Sequence, residues 1–256
     1  LTLTLTSPQP PPAITGIQPD PAALQQLVTI TGANLMAPGG DPVVTFHQQQ
    51  MEGPVPGTVI SGASTSSRLY VVVPGAGSGL QAGVAQVSLS NTYGNASSSI
   101  TISNSPGAPT IRNIYGFSTP PSPGNLCSGT LNPAPLSQVL PGQVIAVAAD
   151  GISLANNTVN FAAASGGAAI VSSCSLTDPV AGVAAVVTAP GTLSGCSVNI
   201  SVQTMVDQST LIPSPPSAAV SRTLLSTSLS SASLTSSANP SAFGQAVTFM
   251  AQVASQ

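Results

Sequence analysis

Residues 27 to 31, Leu-Val-Thr-Ile-Thr, alternate apolar and hydroxylated side chains and stop at Gly32. Successive side chains on a strand point to opposite faces, so Val28 and Ile30 belong to a core and Thr29 to a wet face. An apolar run ending at Ile17 and a Pro-rich corner come just before. The stretch from Pro12 to Leu35 therefore reads as strand, turn and strand. Val43 to Phe46, Thr58 to Ile60, Arg68 to Val73, Gly83 to Leu89 and Ser98 to Ile102 continue the pattern as short runs between Gly, Pro and Ser turns. Turns recurring about every 8 to 12 residues predict an all-β sandwich. Asn91-Thr-Tyr-Gly94 supplies the residues a hairpin turn needs.

A second copy follows. Ile111 to Ile114 takes the place of Ile14 to Ile17, and Val144 to Ile152 that of Leu27 to Leu35. Val159-Asn-Phe161 matches Val44-Thr-Phe46, Ala189-Pro-Gly191 matches Val73-Pro-Gly75, and Gly195 to Val202 matches Gly83 to Ser90. Such self-similarity marks an array. The copy is degenerate, with Ala149 where Gly32 stands and a Pro-rich insertion over 117 to 141. Four pieces result: a lone strand and linker over 1–9, a first sandwich over 10–104, a second over 105–223, and the first strands of a third, incomplete unit over 224–256. The lone strand reads as the end of a preceding domain or as a donor strand, because its backbone groups have no partner of their own. Short Pro-rich linkers predict sandwiches arranged end to end.

The opening strands resemble those of an IPT/TIG domain, an immunoglobulin-like β-sandwich. Pro12 to Pro19 fits "P-x-I-x-x-I-x-P", and Val28 to Leu35 fits "V-T-I-x-G-x-N-F" with Leu35 in place of the final aromatic residue. Val71 to Gly75 and Leu89 to Gly94 resemble the family's "V-x-V-P-x-G" and "V-x-N-x-x-G" elements. Residues 239 to 249 are similar to the "N-P-S-x-x-G-Q-x-V-T-F" that joins the first strands of a bacterial Ig-like (Big) domain. The resemblance implies tandem immunoglobulin-like modules of a bacterial extracellular protein, and no chemistry.

Charge narrows the function. Three Lys plus Arg and six Asp plus Glu make 4% charged residues, against 42% hydrophobic ones. A folded core is expected, since disordered chains are charged and poor in apolar residues. Nucleic acid is excluded as a partner, because it needs a basic patch and Arg68, Arg112 and Arg222 are far apart in sequence. No apolar run is long enough for a membrane span. His47, the single histidine, follows a strand end and reads as a loop residue. Asp20, Asp41, Glu52, Asp150, Asp178 and Asp207 stand singly, so no metal site, cofactor or catalytic pair is expected. Sugar binding commonly uses aromatic platforms, and here only Tyr70 and Tyr93 read as outward-facing aromatics of the first sandwich.

Three cysteines allow one internal disulfide and leave one thiol. Cys127, in the insertion, and Cys196, at the start of a strand, are expected at the same end of the second sandwich. They are preferred over pairings with Cys174 on the intervening strand pair. Candidate glycan positions are the sequons at Asn95, Asn156 and Asn199. The expected core comprises Val28, Ile30, Phe46, Leu69, Val71, Val87 and Leu89, then Ile145, Val147, Phe161, Val198 and Ile200.

The expected function is structural and not enzymatic: a secreted or surface-displayed stalk, adhesin shaft or filament subunit. Its partners are then further domains of the same chain or further copies of it. Leu1, Leu3 and Leu5 on one side, and Val247 and Phe249 on the other, are the residues expected to meet if the ends complete one another between molecules. The alternative is a non-catalytic binding or spacer module of a secreted carbohydrate-active enzyme, with carbohydrate as its partner.

Overall fold

A computed structural model describes residues 9–122, 124–154, 156–164, 166–171, 173–175, 182–206, 212–225 and 230–255. Among them are strands and one 3-10 turn at Ser61–Ala63, and no α-helix. The first sandwich contains β1 (Ala13–Gln18), β2 (Ala22–Ala23), β3 (Leu27–Ala33), β4 (Val43–His47), β5 (Val55–Pro56), β6 (Thr58–Val59), β7 (Arg68–Val72), β8 (Gly83–Asn91) and β9 (Gly94–Ser103). The second contains β10 (Thr110–Thr119), β11 (Thr130–Pro135), β12 (Gln138–Val139), β13 (Val144–Asp150), β14 (Asn157–Ala162), β15 (Gly167–Val171) and β16 (Ser173–Ser175). It continues with β17 (Val183–Thr188), β18 (Ser197–Val206), β19 (Ile212–Pro213) and β20 (Val220–Leu224). A separate hairpin pairs β21 (Ser230–Ser236) with β22 (Phe249–Ser255).

The two sandwiches share one topology. The first has sheets ordered β1-β3-β7-β6 and β2-β9-β8-β4-β5; the second has β10-β13-β17-β16 and β12-β20-β18-β14-β15. In both, a two-residue strand pairs in parallel with the last strand, β2 with β9 and β12 with β20, while the other pairings are antiparallel. Sheets that hold the first, second and fifth main strands on one side and the third, sixth and seventh on the other are the immunoglobulin arrangement. The internal repeat seen in the sequence is thus a repeat of strand order. Only the second sandwich carries β11, which adds to the edge beside β10, and β19, which pairs with β18.

Each sandwich has its own apolar interior. Val28, Ile30, Phe46, Leu69, Val71, Val87 and Leu89 lie together in the first. Ile145, Val147, Phe161, Val198 and Ile200 lie together in the second, and all twelve side chains are buried. The period-two alternation on β8 and β9 follows from this, since one face of that sheet looks inward and the other outward. At the tip between them the Asn91 side-chain oxygen accepts from the Tyr93 amide at 2.9 Å, closing the turn that the residue types called for.

The insertion over 117 to 141 is structured. β10 runs on to Thr119, and β11 returns beside it with Phe117 opposite Leu131 and Tyr115 opposite Pro135. Prolines are compatible with an edge strand, and β11 is one. Tyr115, Phe117 and Leu131 gather with Val144, Ala146, Ala148, Ala184 and Val186 in a second apolar cluster on the outer face of the sheet. The insertion covers what would be an exposed apolar face.

Gly32 shows how tight the first pairing is. It stands opposite Ile14, and a Cβ there would overlap the Ala13 carbonyl oxygen. Its register counterpart is Ala149, opposite Ile111, so the requirement belongs to the first sandwich alone. Gly32→Ala is expected to force β1 away from β3 at a cost of about 1–3 kcal/mol, read as a lower urea midpoint with the slope unchanged.

Candidate functional site

Arg112, Asp150 and Arg68 come together around Tyr70 at the joint between the two sandwiches. In the first, the β1–β3 register skips Thr15; in the second, the β10–β13 register skips Arg112, between Ile111 and Asn113. A β-bulge re-aims the side chain it carries. Arg112 meets Asp150, the last residue of β13, with Nε 3.0 Å from Oδ1 and both side chains 14% exposed. Its Nη2 donates to the Tyr70 hydroxyl oxygen at 2.8 Å, and its guanidinium carbon lies 5.9 Å from the centre of that ring. From β3, the Thr29 hydroxyl donates to the same Asp150 oxygen at 2.8 Å. Burial pushes the Tyr70 hydroxyl above its ordinary pKa, while Arg112 and Arg68 pull it back. Two of the three arginines of the whole chain therefore act at this place.

Gln26 ties the linker into the same joint. Fully buried, it accepts from the amides of Ala23 and Gly107 and donates to the carbonyls of Gly107 and Gly151, all at 3.0–3.1 Å. Its amide donors and acceptor lone pairs are all used. Gly182 completes the packing under Tyr70: it sits at φ +62, and a Cβ there would overlap the tyrosine ring. On the far side, Leu24, Leu80, Ile102, Pro106, Val206 and Ile212 line an apolar cavity of about 170 Å³. Geometrically, residues at one end of the second sandwich, 110–112, 149–151 and 182, meet the outer face of β3 and β7. This arrangement can fix an orientation; it presents no set of groups for a reaction.

Two expectations are corrected here. The face of β3 that carries Thr29 is dry, with Thr29 1% exposed, and Tyr70 is likewise 1% exposed instead of outward-facing. The cause is the second sandwich, whose contribution no local pattern in β3 or β7 encodes. The Cys127–Cys196 staple is also corrected: Cys196 is a free, exposed thiol, and Cys127 is disulfide-bonded. Cys127 belongs to the loop between β10 and β11, which extend one sheet, whereas Cys196 precedes β18 in the other. Of Cys174 only the backbone, in β16, is described.

The remaining candidates do not converge. His47 is half-buried at the end of β4, opposite Gln86. No three His, Cys, Asp or Glu residues among the described ones are placed to hold a metal ion, and no described helix could cross a membrane. Asp178 and Asp207 lie outside the described residues, as do Leu1, Leu3 and Leu5. Tyr93 is half-buried in its turn. Asn95 and Asn199 are exposed on β9 and β18, and Asn156 is half-buried at φ +60. Val247 is half-buried, and Phe249 on β22 is 66% exposed. The sequence did hold a signal for the joint: Arg112 and Asp150 stand where the first copy, by register, has Thr15 and Ala33.

These features define a tandem of immunoglobulin-like β-sandwiches with a built joint. No family model and no curated protein matches the chain. Among solved structures, it is similar to the FN1-FN3 domains of chicken CNTN1, at 12% identity and TM-score 0.22, over 84% of this chain and 66% of that one. It is also similar to a run of titin domains, at 16% identity and TM-score 0.21, over 80% and 61%. A third likeness is to the gamma-CGTase of Alkalophilic bacillus clarkii, at 11% identity and TM-score 0.30, over 78% of this chain and 24% of that one. The chain thus spans about a quarter of the length of that enzyme. The fold assignment rests on strand order and register.

Proposed function

We propose that the chain is a structural piece of a bacterial extracellular protein: IPT/TIG-like sandwiches followed by a Big-like unit, serving as a stalk, adhesin shaft or filament subunit. The observation that carries this reading is the recurrence of one strand order in two sandwiches tied by a packed joint. Sandwiches repeated and fixed to one another span distance, which is what a shaft needs. Self-assembly is supported by the β21–β22 hairpin. Leu234, Ala251 and Phe249 share one of its faces, and Leu234 and Phe249 are 68% and 66% exposed. A two-stranded hairpin is marginal in water by itself. The alternation Leu1-Thr-Leu-Thr-Leu-Thr6 has the pattern of a strand that would cover such a face, and strand addition supplies both backbone bonds and apolar contact. Contact between two different surfaces does not close on itself and propagates into a fibre.

Sedimentation velocity and negative-stain electron microscopy of the purified chain over a concentration series test this. Filaments are expected from the parent protein, and neither from a variant lacking residues 1–6 nor from Leu234→Ser with Phe249→Ser. Filaments that survive deletion of 1–6 would remove strand exchange from the reading. A chain that stays monomeric at high concentration and is retained on an insoluble polysaccharide would replace it with the spacer of a carbohydrate-active enzyme.

A further inference from the structure

We infer that the two sandwiches unfold as one cooperative body of fixed angle, because the first lends Leu27, Ala63 and Tyr70 to the apolar core of the second. Those three residues touch the cluster built by Ile114, Ile145, Val147, Val183 and their neighbours, and they are not part of the first sandwich's own interior. Modules within one chain by default move relative to each other, since their interfaces are polar and small. This joint departs from that default in three respects. Its apolar part is continuous with a core, so opening it would expose Leu27 and Tyr70, which are 1% exposed. Its polar part is closed: Asp150 is engaged at once by Arg112 and Thr29, and Gln26 has every amide hydrogen bond filled, three of the four by Gly107 and Gly151. Separation would leave buried polar groups without partners, the costly side of hydrogen bonding. Finally, Gly182 leaves no gap beneath Tyr70, so sliding the two surfaces meets a steric stop.

Coupling follows from geometry. β3 and β7 are the central strands of one sheet of the first sandwich, with Val28, Ile30, Leu69 and Val71 on the inner face and Leu27, Thr29 and Tyr70 on the outer. A strand whose two faces are built into two cores cannot melt for one of them alone.

Amide hydrogen exchange of the full chain, followed by mass spectrometry across a urea series, reads both sandwiches at once. In the parent protein, peptides from β8–β9 and from β14 and β18 are expected to lose protection at one shared midpoint. Tyr70→Ser, which leaves the interior of the first sandwich untouched, is expected to accelerate exchange in β8–β9 and in β14 and β18 alike, on the order of a hundredfold, the scale of deleting a buried ring; acceleration confined to β14 and β18 would overturn the inference. Thr29→Val combined with Tyr70→Phe keeps the volume and removes only hydroxyls; it is expected to fold with a lower midpoint that the two sandwiches still share, because Leu27, Ala63 and the aromatic ring stay in the second core. Two resolved midpoints in the parent protein would overturn the inference. So would Tyr70→Ser slowing or sparing exchange in the second sandwich while weakening the first.

Discussion

Val28→Asp or Ile30→Asp is expected to unfold the first sandwich at room temperature, and the second with it. Both side chains are fully buried among Leu69, Val71, Phe46 and Leu89, with no cation in that cluster to pair with a new carboxylate. Burying an unpaired charge costs several kcal/mol, a large share of the roughly 5–15 kcal/mol that holds a domain together. Far-ultraviolet circular dichroism and loss of a cooperative urea transition check it. Ser99→Asp, on the exposed outer face of β9, should leave the midpoint within about 0.5 kcal/mol of the parent. If Ser99→Asp proves as damaging as Ile30→Asp, the inner and outer faces have been misassigned.

Thr29→Asp carries the second large effect. An exposed threonine on a strand would accept this change, but Thr29 is 1% exposed and 2.8 Å from the Asp150 carboxylate. A second carboxylate there meets like charge in a dry joint, with Arg112 already engaged. A loss of about 3–5 kcal/mol is expected, the scale of disrupting a buried ion pair. Thr29→Val removes a single hydrogen bond and should cost only about 1 kcal/mol. Comparing the two urea midpoints separates the added charge from the lost hydrogen bond; equal losses would mean that a second carboxylate beside Asp150 meets no repulsion and that the joint is not dry.

How much of this was legible in the sequence depended on range. Val28, Ile30, Leu69 and Val71 announced themselves because a period-two pattern needs only neighbours along one strand. The repeat was legible for the same reason, block by block. The partner of Thr29 lies 121 residues away, and a hydroxyl facing a carboxylate has the same sequence pattern as a hydroxyl facing water. Tyr70 was misread likewise, since an aromatic residue on an outer face becomes core only when another module covers it. β11 was hidden by Pro133 and Pro135, residues that signal a linker unless the strand is known to be an edge. The cysteine pairing depended on which sheet the insertion extends, and spacing does not encode that. Arg112 and Asp150 were visible as rare charges, but their meeting depended on a bulge that skips one residue.

The insertion gives the tandem a direction. By register, Ala146 and Val186 of the second sandwich stand where the first has Thr29 and Tyr70, so they mark the landing place that a following module would use. That place is occupied from within by Tyr115, Phe117 and Leu131, and Ala146 offers no counterpart to the Thr29 hydroxyl. A further sandwich therefore cannot land on the second by the face that the first uses. Growth beyond the second sandwich would then use a different kind of contact, such as the exposed apolar face of the β21–β22 hairpin.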